Sequence, residues 1–223
     1  KILAIIPARK GSKRIPNKNL KKFNGKPLIY WSIKAAHESK YIDKVIVSTD
    51  SKLIREISIK HGSDVPFLRP KEISTSTSKS SDVIIHALNN INGYDYIIYL
   101  QPTSPLRDKK DIDDSIKLGV NNNVKSLASF SHSLHHDPNI IFEFDKNKKK
   151  IKKTNFSKSE NKRSSYYVLN GAIFLIKASW FKDNKKFIYK GTFPFIMDQK
   201  KSVDIDNSYD FEIAEYLMKK HNT

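Results

Sequence analysis

Three short apolar runs, Ile2 to Ile6, Val45 to Val47 and Ile97 to Leu100, each end on polar residues. Between and after them, Leu28 to Glu38 (LIYWSIKAAHE), Leu53 to His61 (LIREISIKH) and Asp82 to Asn89 (DVIIHALN) place apolar residues three and four apart, the spacing of one helical face. Runs too short for helices and apolar at successive positions read as strands buried on both faces of a parallel sheet. Alternation of the two patterns predicts an α/β fold with right-handed crossovers. In such a sheet ligands lie beyond the C-terminal strand ends, which is where Arg9, Asp50 and Gln101 fall.

Past Arg107 the pattern changes. Asp111 to Leu118 reads as a helix, Ser126 to Ser131 as a strand, and Ile140 to Lys153 as a hairpin around the lysine-rich run KNKKKIKK. Tyr166 to Ile176 (YYVLNGAIFLI) reads as a strand with an irregularity centred on its glycine, and Asp210 to Lys219 as an amphipathic helix. With no internal repeat and no long linker, residues 1–223 are expected to form one domain. An insertion at about 128–165 is expected to project from it as a small β-rich excursion of the kind used at oligomer contacts.

Composition narrows the function classes. The sequence has no cysteine, which excludes disulfides, thiolate metal ligands and a thiol nucleophile. No apolar run approaches the roughly 20 residues that cross a bilayer, and the start has no secretory-signal pattern, so a soluble cytoplasmic protein without a membrane partner is expected. The 41 lysines and arginines against 23 acidic residues give a net charge of +18, which invites a nucleic-acid reading. Only six of those cations are arginines, the residue that base-edge and phosphate-fork recognition favours, so nucleic acid is not the expected partner.

The opening loop ARKGSKR combines a glycine and a serine, which let backbone approach a ligand, with flanking cations that oppose its charge, a combination suited to polyphosphate. It is neither a Walker loop nor a dinucleotide-binding glycine motif. Taken alone it reads equally well as a solvated turn. Its company decides between the two: PARKGSKRIPNKNL, VIVSTDS, FLRPKEIS, LQPTSPLR, NGAIF and SVDIDNSYDFEIAE occur in that order. Together they resemble the CMP-sialic acid synthetases, the acylneuraminate cytidylyltransferase family, strongly over residues 1–108, moderately over 164–217 and weakly between.

That resemblance implies a Rossmann-like, mononucleotide-binding mixed sheet of the nucleotide-diphospho-sugar transferase type. It implies transfer of CMP from CTP to the anomeric hydroxyl of an acidic nine-carbon or related sugar, N-acetylneuraminic acid first, by a homodimer. Legionaminic, pseudaminic and Kdo acids are the alternative substrates, and a basic nucleic-acid-binding domain or a relative without activity are the rival classes. For CTP the resemblance carries over Arg9, Ser12, Lys13, Lys18 and Asn19 at the triphosphate and Arg69, Ser80 and Gln101 at the nucleoside. Fixed cations are apt there, because pyrophosphate departure builds negative charge. Arg9, Lys18 and Asp206 are the catalytic candidates.

Asp204 and Asp206, two residues apart, match the family's metal pair, and hard carboxylate oxygens suit Mg²⁺. For the sugar the resemblance implies Gln101, Asn170, Phe174 and Phe187, with Arg163 opposite the sugar carboxylate. Asp210 is expected to open the last helix, and Asp50 to cap the helix that follows it or to reach the metal indirectly. Arg14 stands where relatives commonly have glycine, Ser76 stands where they often have an acid, and the stretch HHDPNII lacks the lysine that usually follows it. His135 and His136, adjacent and without a third ligand, do not read as a metal site.

Overall fold

The computed structural model describes residues 1–132, 142–145, 150–153 and 166–221, with side chains omitted for 142–145, 150–153 and 221. Strands β1 (Ile2–Pro7), β4 (Lys44–Ser48) and β5 (Tyr96–Tyr99) form the parallel unit expected from the apolar runs, with β1 between the other two. The long strand β9 (Tyr167–Lys177) pairs antiparallel with β5 and with β6 (Ser126–His132), and β10 (Phe193–Met197) closes the far edge parallel to β6. The sheet order is β10-β6-β9-β5-β1-β4.

Side chains alternate across a strand, and the sheet accordingly has two apolar faces. Ala4 and Ile6 of β1 join Ile29 and Ile33 of α1 (Leu28–His37), Ile54 of α2 (Lys52–Lys60) and Ile112 and Ile116 of α4 (Lys109–Asn121) on one face. Leu3 and Ile5 join Val83 and Ile84 of α3 (Ser80–Asn90) and Phe181 of α5 (Ala178–Asn184) on the other. Ser51, with its hydroxyl accepting from Ile54 N–H at 3.3 Å, caps α2. The cap expected of Asp50 is therefore Ser51's.

A short hairpin, β2 (Lys22–Phe23) with β3 (Lys26–Pro27), follows the opening loop, and α6 (Ser208–His221) ends the described chain. A third apolar cluster sits between them. Ile15 of the loop, Phe23, Leu28, Leu106, Ile205 and Phe211 pack together, with the Phe23 and Phe211 rings edge to face at 5.3 Å. The expected hairpin is present as β7 (Phe142–Asp145) paired antiparallel with β8 (Lys150–Lys153). Residues up to His132 belong to the main sheet, and the remainder of the expected excursion lies outside the described residues apart from that hairpin.

Since one cluster pins the loop, the turn near Leu106 and the segment around Ile205, removing its centre should cost stability. Phe211→Ala should lower the unfolding free energy by about 3–5 kcal/mol, measured by chemical denaturation. A loss below about 1 kcal/mol would mean that this cluster is not a packed core.

Candidate active site

Beyond the C-terminal ends of β1 and β5 lies a cavity of about 440 Å³. All eight residues expected at the nucleotide line it: Arg9, Ser12, Lys13, Lys18, Asn19, Arg69, Ser80 and Gln101. Asp206 lines it too. Arg9, Lys13, Arg14, Lys18 and Arg69 make five cationic side chains against that one carboxylate, and of the five only Arg14 is in a salt bridge with a described residue. The imbalance makes this an anion site.

The opening loop is held by its neighbours. Ala8 N–H donates to Ser48 O at 2.9 Å, prolonging the β1–β4 ladder by one residue. Lys10 N–H donates to the Asp50 carboxylate at 2.8 Å, so Asp50 tethers the loop. The buried Asn19 amide donates to Arg9 O at 3.1 Å. Lys18 Nζ donates to Ile205 O at 2.6 Å, and Ile205 N–H to Thr103 O at 2.8 Å, which ties the loop, the LQPTSP turn and the DIDNSYD segment into one frame. Burial lowers the Lys18 pKa, while Asp206 and Asp204 oppose the shift.

At the other end of the cavity Arg69 is 5% exposed and donates through Nε to Ser74 Oγ at 3.0 Å. Burial lowers its pKa, against the opposing influence of Tyr99 and Asp50. Tyr99 forms part of the cavity wall near Ser80, and burial pushes its phenol up to about 12, leaving a neutral hydroxyl there. Ser76 lines the same wall.

The acidic pair sits just before α6. Asn207 Oδ1 accepts from Asp210 N–H at 3.1 Å and Asp210 Oδ2 accepts from Asn207 N–H at 3.0 Å and from Asp206 N–H at 2.9 Å. Asp210 thus performs the helix-opening role expected of it, and the Asp206 carboxylate stays free of the cap. That carboxylate instead meets Arg14 Nη1 at 2.6 Å, with both side chains more than half exposed. Asp204 is solvent-exposed, although protein crowds around its carboxyl. Crowding by the surrounding protein raises its pKa and Asp206 adds to the rise, while the Thr103 hydroxyl and Lys18 oppose it. Two carboxylates close enough to repel are suited to a shared cation. Among the described residues no group of three or more His, Asp or Glu side chains is placed to hold a metal alone, but Mg²⁺ needs only one or two carboxylates when phosphates and water complete its shell. The residues present therefore fit it.

The sugar candidates are not brought together in the same way. Gln101 lines the cavity, and Asn170 is buried, with its amide donating to Ser202 Oγ at 2.9 Å and its Oδ1 accepting from Ser129 Oγ at 2.5 Å. The Phe174 and Phe187 rings meet edge to face at 4.9 Å within the apolar cluster beneath α5 and are not among the residues that line the cavity, because Phe174 lies on the face of the sheet that α3 and α5 cover. Arg163, His135 and His136 lie outside the described residues. Sequence reasoning overlooked Tyr99, Thr103 and the pairing of Arg14 with Asp206. It also passed over Arg107, which is 1% exposed. Thr103 and Arg107 had a visible signal in their place within LQPTSPLR, and Arg14 in its departure from the loop glycine.

A cationic, glycine-containing loop beyond the C-terminal ends of parallel strands in a mixed sheet defines an α/β protein with an anion site at its strand edge. A sequence model of the cytidylyltransferase family matches residues 3–223, and the chain belongs to that family. The chain is 36% identical over 224 residues to the N-acylneuraminate cytidylyltransferase of Escherichia coli O18:K1:H7, covering 100% of this chain and 53% of the relative. It thus spans about half the length of that protein. It is 34% identical to the CMP-N,N'-diacetyllegionaminic acid synthase of Legionella pneumophila over 98% of this chain and 96% of the relative. The Campylobacter jejuni (serotype O:2) pseudaminic acid cytidylyltransferase is 31% identical over 98% and 97%. Among solved structures, CMP:2-keto-3-deoxy-manno-octonic acid synthetase complexed with CTP shares the fold with a TM-score of 0.77 at 15% identity, covering 99% of each chain.

The loop geometry separates buried from exposed contributions. Asn19→Ala, which leaves Arg9 O without its buried donor, should cost about 1–3 kcal/mol of stability. Arg14→Ala, at an exposed ion pair, should cost less than about 1 kcal/mol. Denaturant titration of both variants checks the order, and the reverse ranking would contradict it.

Proposed function

We propose that this chain transfers the cytidylyl group of CTP to the anomeric hydroxyl of an acidic nonulosonic sugar and releases pyrophosphate. The observation that carries this reading is the convergence of the eight expected nucleotide residues on one cavity with a large cationic excess and a carboxylate pair at its rim. The names of the relatives that match nearly the whole chain agree with it. N-acetylneuraminic acid is the first candidate sugar, with legionaminic, pseudaminic and Kdo acids as alternatives.

In the proposed reaction a sugar oxygen attacks the α-phosphorus of CTP, a new oxygen–phosphorus bond forms, and the bond to the β-phosphate oxygen breaks with its electron pair leaving on pyrophosphate. The proton of the sugar hydroxyl passes to solvent water, and no covalent enzyme intermediate is needed. Arg9, Lys13 and Lys18 oppose the charge growing on the departing phosphates, which lowers the barrier most where water is excluded. Arg69 and Ser80 fix the nucleoside and Gln101 the sugar, so that attack is in line. Mg²⁺, when held by Asp204 and Asp206, would supply charge neutralisation at the phosphates.

We also infer that the protein works as a homodimer. Exposed Tyr167, Val168 and Leu169 at the start of β9 and Phe193 and Ile196 on the edge strand β10 offer apolar surface for it. Sedimentation at micromolar concentration should give twice the chain mass, and a monomer would overturn this part.

Pyrophosphate release with CTP, Mg²⁺ and a panel of the four sugars should occur with CTP but not with ATP, GTP or UTP. Asp206→Asn should reduce that release about 100-fold or more while leaving the melting temperature nearly unchanged. No release from the folded wild-type protein with any sugar, or full activity in Asp206→Asn, would contradict the proposal. A nucleic-acid-binding domain would instead bind polyanions with an affinity that collapses in salt and does not depend on Asp206.

A further inference from the structure

The β5–β9 ladder stops at Tyr99 opposite Phe174, although its register continued would set Gln101 opposite Ala172. Strand β9 is irregular there. On its β6 side Ala128 pairs with Phe174 and Phe130 with Leu169, so residues 170–173 bulge out opposite Ser129 alone. Gly171 takes a φ of +71° in this bulge, a region that favours glycine. A Cβ at Gly171 would lie 3.8 Å from Gln101 Oε1, so the bulge backbone faces the Gln101 amide directly.

Arg107 fills the gap between the two strands. Its Nη1 donates to Ala172 O at 2.8 Å and to Gln101 O at 3.3 Å, and its Nη2 donates to Ser32 Oγ of α1 at 2.7 Å. Ser32 Oγ in turn donates to Gln101 O at 3.3 Å. Among the described residues no carboxylate forms a salt bridge with the guanidinium. On the far side of the bulge, Ser129 Oγ accepts from Ile173 N–H at 2.8 Å and Asn170 Oδ1 accepts from Ala172 N–H at 3.1 Å. A buried charge serving only backbone carbonyls and one hydroxyl is a costly way to join two strands, and its planar fork reaches acceptors on three elements where an ammonium reaches fewer.

We infer that Arg107 is a positioning residue for the transfer reaction: it clamps Gln101 to the Asn170–Ile173 bulge and so fixes the wall of the cavity that receives the sugar. Burial lowers the Arg107 pKa to about 10, so the clamp stays charged across the physiological range. Assigning that wall to the sugar rests on the function proposed above, whereas the clamp itself does not.

Arg107→Lys keeps the charge and removes the fork. Hydrogen–deuterium exchange of Arg107→Lys should show faster exchange in segments 100–103 and 170–173, with β1 and β4 unchanged. In steady-state kinetics, KM for the sugar should rise about 10-fold or more, in line with the cost of misplacing a binding group, while KM for CTP moves less than about 3-fold. In a Gln101→Ala background, which keeps the clamped carbonyl but removes the side-chain amide that the clamp places, the same substitution should change kcat/KM for the sugar by less than about 3-fold. Unchanged exchange at both segments would overturn the clamp. Faster exchange with sugar and CTP constants affected equally, or with effects additive to Gln101→Ala, would overturn the positioning role. If the wild-type protein turns over no sugar, the proposed function fails and the exchange measurement still decides the clamp. Should Arg107→Lys not fold, Ser32→Ala, which removes one acceptor of the same fork, serves in its place with the same expected pattern at smaller amplitude.

Discussion

Strand β1 is hydrogen-bonded on both sides, parallel to β4 and to β5, and everything at the cavity depends on that arrangement. Parallel strands deliver their C-terminal ends to one edge. Arg9, Asp50 and Gln101, distant in sequence, leave the sheet side by side for that reason alone. The two apolar faces hold the sheet between helices, so the edge is rigid where the loops begin. Loops can then carry the polar chemistry that a packed interior could not.

The opening loop is flexible in composition but constrained in place. Its glycine and lysines would fray in isolation. Asp50, Asn19 and the Lys18–Ile205–Thr103 links fasten it, and Ile15 anchors it in the third apolar cluster. That cluster also holds Leu106 and Ile205, so the loop, the LQPTSP turn and the acidic pair share one base. Cations gathered this way repel one another, and burial of Lys18 and Arg69 adds to that strain. A polyphosphate ligand would relieve it, which is the physical sense of building the site this way.

Much of this was legible in the sequence because period and order carry it. Apolar runs and helical spacing marked the elements of the parallel unit, and six ordered motifs marked the nucleotide residues, all of which reach one cavity. The sugar side was less legible. Phe174 and Phe187 fell within or near a matching motif, but which face of β9 a residue occupies depends on the bulge at 170–173, and no local pattern sets its length. Capping went to Ser51 rather than Asp50 because the loop amide of Lys10 claims that carboxylate, a contact 40 residues apart in sequence. Arg107 ends a motif like any surface cation, and only the tertiary fold reveals that its acceptors are a carbonyl of β9, the Gln101 carbonyl just beyond β5 and a helix hydroxyl.

The cavity beyond β1 and β5 is proposed to bind CTP. Calorimetric titration of the protein with CTP, UTP, ATP and GTP in the presence of Mg²⁺ tests it most directly, with Arg69→Ala as the control. CTP should bind at least about 10-fold tighter than the other three, a margin of about 1.4 kcal/mol, with the preference lost in Arg69→Ala. Equal affinity for all four nucleotides, or a CTP preference untouched by Arg69→Ala, would contradict it.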